Sequence, residues 1–294
     1  MSFAIITDST SDMNVTLREQ HNIDYVMMNY VLDGEEYPAS LDWATHSPKE
    51  FYDMMRKGKH FTTTQVPRES YVEKFEYYLD KGQDVVYISC SSALSGSYNL
   101  SLVVAEEINA KYENNKVYCV DSRISSLGQA YICFMADEQR KMGKTAAETA
   151  EYLEANRLKV NQVGTVESLE YLKRAGRIKA SKAFFGNLIG VKPIIISDIK
   201  GQNYAYRKVK GALNSRLAIV EDVKNTVINP EEQILYISHA DNEEVALQVK
   251  DMIMAEIPFK GFHIDYITPI VGSCVGPGTI ISFCYGTEVT VEGE

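Results

Sequence analysis

The chain has 294 residues, 45% hydrophobic and 24% charged, the balance of a folded globular protein with room for one large domain or two ordinary ones. A formal net charge of −10 opposes broad attraction to phosphate backbones, so nucleic acid and anionic membrane surfaces are not expected as main partners. Five cysteines, odd in number and with no CxxC pair, argue against a disulfide framework or a zinc ribbon and for reduced thiols in the cytoplasm.

The first residues reach an acid at Asp8 with no basic flank and no long apolar stretch, unlike an ordinary signal peptide. No apolar run approaches the ~18–20 residues of a membrane span, and a soluble cytoplasmic protein is expected. Residues 3–7 read as a strand ending in Asp8-Ser9-Thr10-Ser11-Asp12, and residues 23–32, rich in Val, Tyr and Met, as another. Pro67 opens a helix whose Tyr71, Phe75, Tyr78 and Leu79 share a face, with Gly82 past its end. Residues 84–90 (DVVYISC) form a buried strand, and Leu100, Val103, Val104 and Ile108 have the spacing of an amphipathic helix. A strand over 116–120 completes a βαβ unit, which requires parallel strands.

Helices are expected over 130–141 and 146–157, and the pattern changes near residue 160. Beyond it come strands at 191–197 and 233–238, a helix marked by Val245, Val249, Met252 and Ile253, and strands at 262–267 and 279–285. This predicts an α/β protein in two firmly packed parts, residues 1–160 and 161–294, with no linker or internal repeat.

The most informative segment is residues 90–99, CSSALSGSYN, between a buried strand and a helix. Open α/β sheets bind ligands at such strand ends, and free N–H groups at a helix start suit a carboxylate or phosphate. Ser95 and Ser97 add hydroxyl donors and Gly96 permits close backbone approach. Local spacing leaves open whether these serines hold an anion or only cap a helix. Asp8 and Asp12 are too few for a metal site without a third ligand, and loop bracing is the simpler expectation. Thr62-Thr63-Thr64-Gln65 offers further hydroxyls, Arg177 a carboxylate-binding fork or surface charge, and residues 206–211 (YRKVKG) a basic strip. The glycine-dense stretch 272–279 (GSCVGPGT) reads as a turn brought close to a ligand or to the other part of the chain. No GxSxG elbow, Walker loop, HExxH or dinucleotide fingerprint is present, and the five histidines are scattered.

Taken in order, nine segments resemble the DegV family, the fatty-acid-binding subunits of bacterial fatty acid kinase. They are ITDSTSDM (6–13), TTTQVP (62–67), SSALSGSYN (91–99), VDS (120–122), ESLEYLKRAGRI (167–178), GNLIGVKPI (186–194), KVKG (208–211), ISHAD (237–241) and PIVGSCVGPGT (269–279). The resemblance implies an amino-terminal α/β domain and a carboxy-terminal α+β domain enclosing a fatty acid. It implies no cofactor and no catalysis by this chain. A separate kinase subunit would phosphorylate the carboxylate to an acyl phosphate for phospholipid synthesis. Transient membrane contact is compatible with that role. By the motif positions, Thr63 and Ser95, beside Gly96, would hold the carboxylate, Arg177 would support the head group or phosphotransfer, and Arg207 would sit near a kinase contact.

Two positions depart from the family pattern. Cys274 stands where the family usually has a histidine beside the carboxylate, and a thiol cannot supply an imidazolium. The Thr-Ser-Gln-Pro pattern becomes Thr63-Thr64-Gln65-Val66, which keeps both hydroxyls. Burying ~15 methylenes at ~0.8 kcal/mol each gives a gross ~12 kcal/mol before association costs, enough for a carrier with few polar contacts. Phe184, Phe185, Leu188, Ile189 and Ile195 are candidates for the apolar wall or for ordinary core. Two other functions remain: a serine-dependent hydrolase or acyl transferase using Ser95, and a lipid-binding sensor uncoupled from any kinase, which Cys274 motivates.

Overall fold

Every position of Ala4–Asp8 (β1) is buried, as a strand covered on both faces of a parallel sheet must be. The computed structural model describes residues 3–180, 184 and 190–293. After β1 come α1 (Val15–Gln20), β2 (Ile23–Val26), β3 (Asn29–Leu32), β4 (Glu35–Pro38), α2 (Pro48–Arg56), β5 (Phe61–Thr63) and α3 (Arg68–Leu79). Then follow β6 (Val85–Ser89), α4 (Ser97–Asn109), β7 (Val117–Asp121), α5 (Leu127–Lys141) and α6 (Ala146–Asn156). The rest comprises β8 (Val160–Thr165), α7 (Glu170–Ala175), β9 (Val191–Ser197), β10 (Asn203–Lys210), α8 (Ala212–Thr226), β11 (Ile234–His239), α9 (Glu243–Glu256), β12 (Gly261–Tyr266), α10 (Pro269–Val275) and β13 (Ile280–Tyr285).

The strands form three sheets. One is wholly parallel, in the order β2-β1-β6-β7. A second, β10-β9-β8-β13-β11-β12, is antiparallel except for its β11–β12 pair. The third is a small antiparallel sheet, β4-β3-β5. The α/β architecture with its parallel first sheet is as the sequence predicts.

One apolar core runs across both halves of the chain, from Ile5, Tyr87 and Phe75 to Ile270 and Phe283. Gly128 shows how close the halves lie: a Cβ there would stand 2.8 Å from the Phe283 ring. A second core lies under α8 and α9, around Ile219, Val223, Leu235 and Val249.

Several expectations are corrected. Residues 23–32 are not one strand but β2 and β3, in different sheets. The break falls at Met28, whose N–H is drawn to Ser9 Oγ at 3.0 Å, and the chain then leaves the parallel sheet. The apolar composition runs straight through this break, so nothing local marks it. The 272–279 stretch is helical as far as Val275, in α10, and turns only at Gly276 with φ +77°. The basic strip 206–211, to which the sequence assigned no element, is mostly strand β10. Helix α2 and the sheet it accompanies were not foreseen. Its start is fixed by a Ser47/Glu50 capping box with Pro48 in the first turn. Phe185, Leu188 and Ile189 lie outside the described residues.

Candidate functional site

A cavity of ≈ 230 Å³ opens where the end of β5, the β6–α4 turn, the segment just beyond α7, and α10 converge. Thr63, Ser95, Gly96, Arg177 and Cys274 all border it, although they are spread over more than two hundred residues of sequence. Met28, Ile270, Val271, Val275 and Ile281 supply an apolar wall. Gln65, in the hydroxyl-rich segment, also lines it, as do Gln162 and Asn203, two amides that nothing in the sequence singled out. Ile195 borders a smaller adjoining cavity, and Phe184 lies beside the Lys208 ammonium, 4.7 Å from nitrogen to ring centre; neither is among the described residues lining the first cavity.

The serine-rich turn is shaped by Asp8. One carboxylate oxygen accepts from the Thr10 amide at 2.9 Å and its hydroxyl at 2.5 Å. The other accepts from Tyr87 Oη and the Cys90 amide, both at 3.0 Å. Asp8 thus ties the end of β1 to the end of β6, the bracing role expected of it. Beyond Cys90 the chain coils: the amides of Leu94 and Ser95 both donate to the Ser91 carbonyl. Ser97 then closes the site from behind. Its buried hydroxyl accepts from the Val66 amide at 3.2 Å and from Ser95 Oγ at 3.0 Å, and Tyr71 Oη donates to its carbonyl. The β5–α3 connection and the serine turn are therefore pinned through one side chain, which sets Thr63 and Ser95 on the same cavity. The Thr63 hydroxyl has no partner among the described residues, so it is available to a ligand.

Gly96 has an ordinary φ of −72°, so its small size matters here and its backbone freedom does not. A Cβ there would stand 2.5 Å from Gln65 Oε1, because the amide of Gln65 lies across it. The glycines around α10 likewise accommodate protein. Gly272 faces Tyr52 Oη, Gly276 the ring of Tyr171, and Gly278 the side chain of Glu167.

Burial pushes the Cys274 thiol up to about 11, against an opposing pull from the Arg177 charge. Cys90, also on the wall, is raised well above its ordinary value by burial and by Asp8. Both thiols are therefore neutral near pH 7. Arg177 Nε donates to the Leu94 carbonyl at 3.0 Å and Nη1 to the Ala175 carbonyl at 2.5 Å, fixing the guanidinium at the rim. Arg207 is not among the cavity residues; it is held by Glu221 at 2.8 Å and Asp222 at 3.3 Å on α8.

Asp12 is the residue the sequence undervalued. Its Oδ1 accepts from the Thr268 amide and hydroxyl, and its Oδ2 from Ser126 Oγ at 2.5 Å. Thr268 is the N-cap of α10, the helix that carries Cys274. Burial raises the Asp12 carboxyl to about 7, with these hydrogen bonds opposing and Asp265 adding to the rise. No group of three or more His, Cys, Asp or Glu able to hold a metal exists among the described residues, and none of their helices is long and apolar enough to cross a membrane.

Comparison with known proteins is consistent with this geometry. A DegV domain-containing protein of Clostridium perfringens is 35% identical over 97% of both chains. Among solved structures, a DegV family protein of Thermus thermophilus described by its fatty acid binding superposes with a TM-score of 0.86 at 25% identity, covering 98% of this chain and all of its own. DegV of Bacillus subtilis, described as a fatty acid binding protein, superposes with a TM-score of 0.81 at 28% identity, covering 97% and 99%. The DegV family model matches residues 2–286. The chain belongs to the DegV family.

Proposed function

We propose that this protein is a carrier that encloses a long-chain fatty acid in the cytoplasm and presents its carboxylate to a partner kinase for acyl-phosphate formation. The observation that carries the reading is the union, in one cavity, of two hydroxyls at Thr63 and Ser95 with the apolar wall of α10. Hydroxyls and a rim guanidinium suit a carboxylate, and the wall suits methylenes. The fatty acid binding of the Thermus and Bacillus relatives supports the ligand class. The reading treats residues 1–160 and 161–294 as two units, each contributing to the cavity, with Arg177 at the head group and Arg207 toward the kinase. A hydrolase using Ser95 is disfavoured: no histidine is among the described residues lining the cavity.

Native mass spectrometry of freshly purified protein, followed by extraction of what it carries, tests the carrier reading. A fatty acid adduct is expected; a spectrum that stays empty after fatty acids are added overturns it. Incubation with the kinase subunit tests delivery, and bound fatty acid that is never phosphorylated overturns that half alone.

A further inference from the structure

The cavity carries a second polar region besides its hydroxyls, and that region is built for something other than a carboxylate. Gln162 on β8 and Asn203 at the start of β10 border both the cavity and an adjoining recess of ≈ 10 Å³, as do Val275 and Ile281. Thr63, Ser95 and Cys274 are not among the described residues lining that recess. A recess of this size takes one small group, roughly the room a water molecule needs, and no length of acyl chain.

The two amides are oriented by a relay of hydrogen bonds. Asn203 Nδ2 donates to the Arg177 carbonyl at 3.1 Å, which leaves Asn203 Oδ1 to face Gln162. Gln162 Nε2 donates to that oxygen at 3.1 Å. Gln162 Oε1 then has no partner among the described residues, although the residue is only 6% exposed. Gln162 also borders a separate cavity beside α8, but Asn203 does not, so the bonded amides face the main cavity. The threonine hydroxyls of the recess are occupied: Thr165 donates to the Pro193 carbonyl at 2.8 Å and Thr279 to that of Gly276 at 2.9 Å.

A buried acceptor with no donor is unfavourable, and a plain hydrocarbon chain lying over it offers none. A carboxylate does not relieve it, because a carboxylate only accepts. A hydroxyl does. It donates to Gln162 Oε1 and accepts from the second hydrogen of Gln162 Nε2 or Asn203 Nδ2. A ketone would use those N–H groups alone and leave Oε1 unpaired.

We propose that the ligand is a hydroxylated fatty acid, with its carboxylate at Thr63 and Ser95 and its chain hydroxyl between Gln162 and Asn203. This names the ligand class of the carrier proposed above and rests on that reading.

The test measures affinity, by calorimetry on delipidated protein, for stearic acid and for its monohydroxy derivatives substituted at successive chain positions. At least one hydroxy isomer is expected to bind about tenfold more tightly than stearic acid and more tightly than its own keto counterpart. The variant Q162L/N203L is expected to abolish or invert that preference. Stearic acid bound as tightly as every hydroxy isomer overturns the proposal and leaves the carrier reading standing. A preference that survives the double variant overturns it too, as does a ketone that matches its alcohol in the wild type. Should the double variant fail to fold, Q162M, close in length and volume, carries the same comparison. If neither stearic acid nor any hydroxy isomer binds, the carrier reading and the proposal fall together.

Discussion

Asp12 and Thr268 are joined twice through one oxygen: Asp12 Oδ1 accepts from the Thr268 amide at 2.8 Å and from its hydroxyl at 2.6 Å. The pair links the loop after β1 to the start of α10 across 256 positions of sequence. The Asp12 carboxyl is raised from 3.8 to about 7, so the folded protein holds a proton that the unfolded chain has released between those values. Its contribution is fully present below pH ~4 and is lost as pH rises through about 7, by at most on the order of 4 kcal/mol. Asp12→Asn keeps an acceptor toward Thr268 and gives Ser126 a donor, and asparagine tolerates the φ of +52° found here. Denaturant unfolding across pH 4–8 should show the wild type losing stability relative to this variant as pH rises. A constant difference between the two would remove the assignment.

Thr63 and Ser95 are expected to contribute separately to ligand affinity. Hydrogen bonds to a charged group are worth about 1.5–3 kcal/mol, so Thr63→Ala and Ser95→Ala should each weaken fatty acid binding roughly ten- to a hundredfold. Displacement of a fluorescent fatty acid reads this directly. Thermal unfolding should hardly move for Thr63→Ala, since its hydroxyl has no partner among the described residues. Affinities unchanged in both variants would place the carboxylate elsewhere.

Glycine substitutions should separate cheap crowding from costly crowding. Gly96→Ala meets only the end of the exposed Gln65 side chain, which can swing away, for a cost of under about 1 kcal/mol. Gly276→Ala meets the ring of Tyr171 and forces φ of +77° on a residue with a Cβ, for about 2–4 kcal/mol. Chemical denaturation of both variants ranks them; the reverse order would contradict the packing around α10.

With its thiol pushed up to about 11, Cys274 should be alkylated at pH 7.5 on the order of a hundredfold more slowly than a free cysteine. Because the Arg177 charge pulls that value down, Arg177→Gln should slow the reaction further. Peptide mapping after timed iodoacetamide exposure gives both rates. A faster reaction in the variant would show that Arg177 shields the thiol sterically rather than tuning it.

What the sequence made legible follows from physics that acts locally. β1, β6 and β7 read plainly as apolar runs ending in Ser or Asp, because a parallel sheet leaves little room for alternation. β4, with the composition EEYP, carries no strand signal; it forms because β3 lies beside it. PIVGSCV is a poor helix by propensity, yet Pro269 in the first turn and the Thr268–Asp12 contact make it α10. The hydroxyl-rich turns were visible for the same reason that Ser97 was misjudged. Residue type shows that a serine can donate or accept, but only the fold shows that its partner is Val66.

The break at Met28 divides the walls of the cavity between two sheets. Ser95 follows β6, an interior strand of the parallel sheet buried at every position, whereas Thr63 ends a three-residue strand in a small separate sheet. Amides of β5 should therefore exchange hydrogen at a free energy below that of global unfolding, while those of β6 exchange only with the whole molecule. Mass-resolved exchange of the two peptides measures the gap, and equal protection would refute it. A ligand held between them meets one wall that persists for the life of the fold and one that yields on a shorter clock, so release need not wait for the protein to unfold.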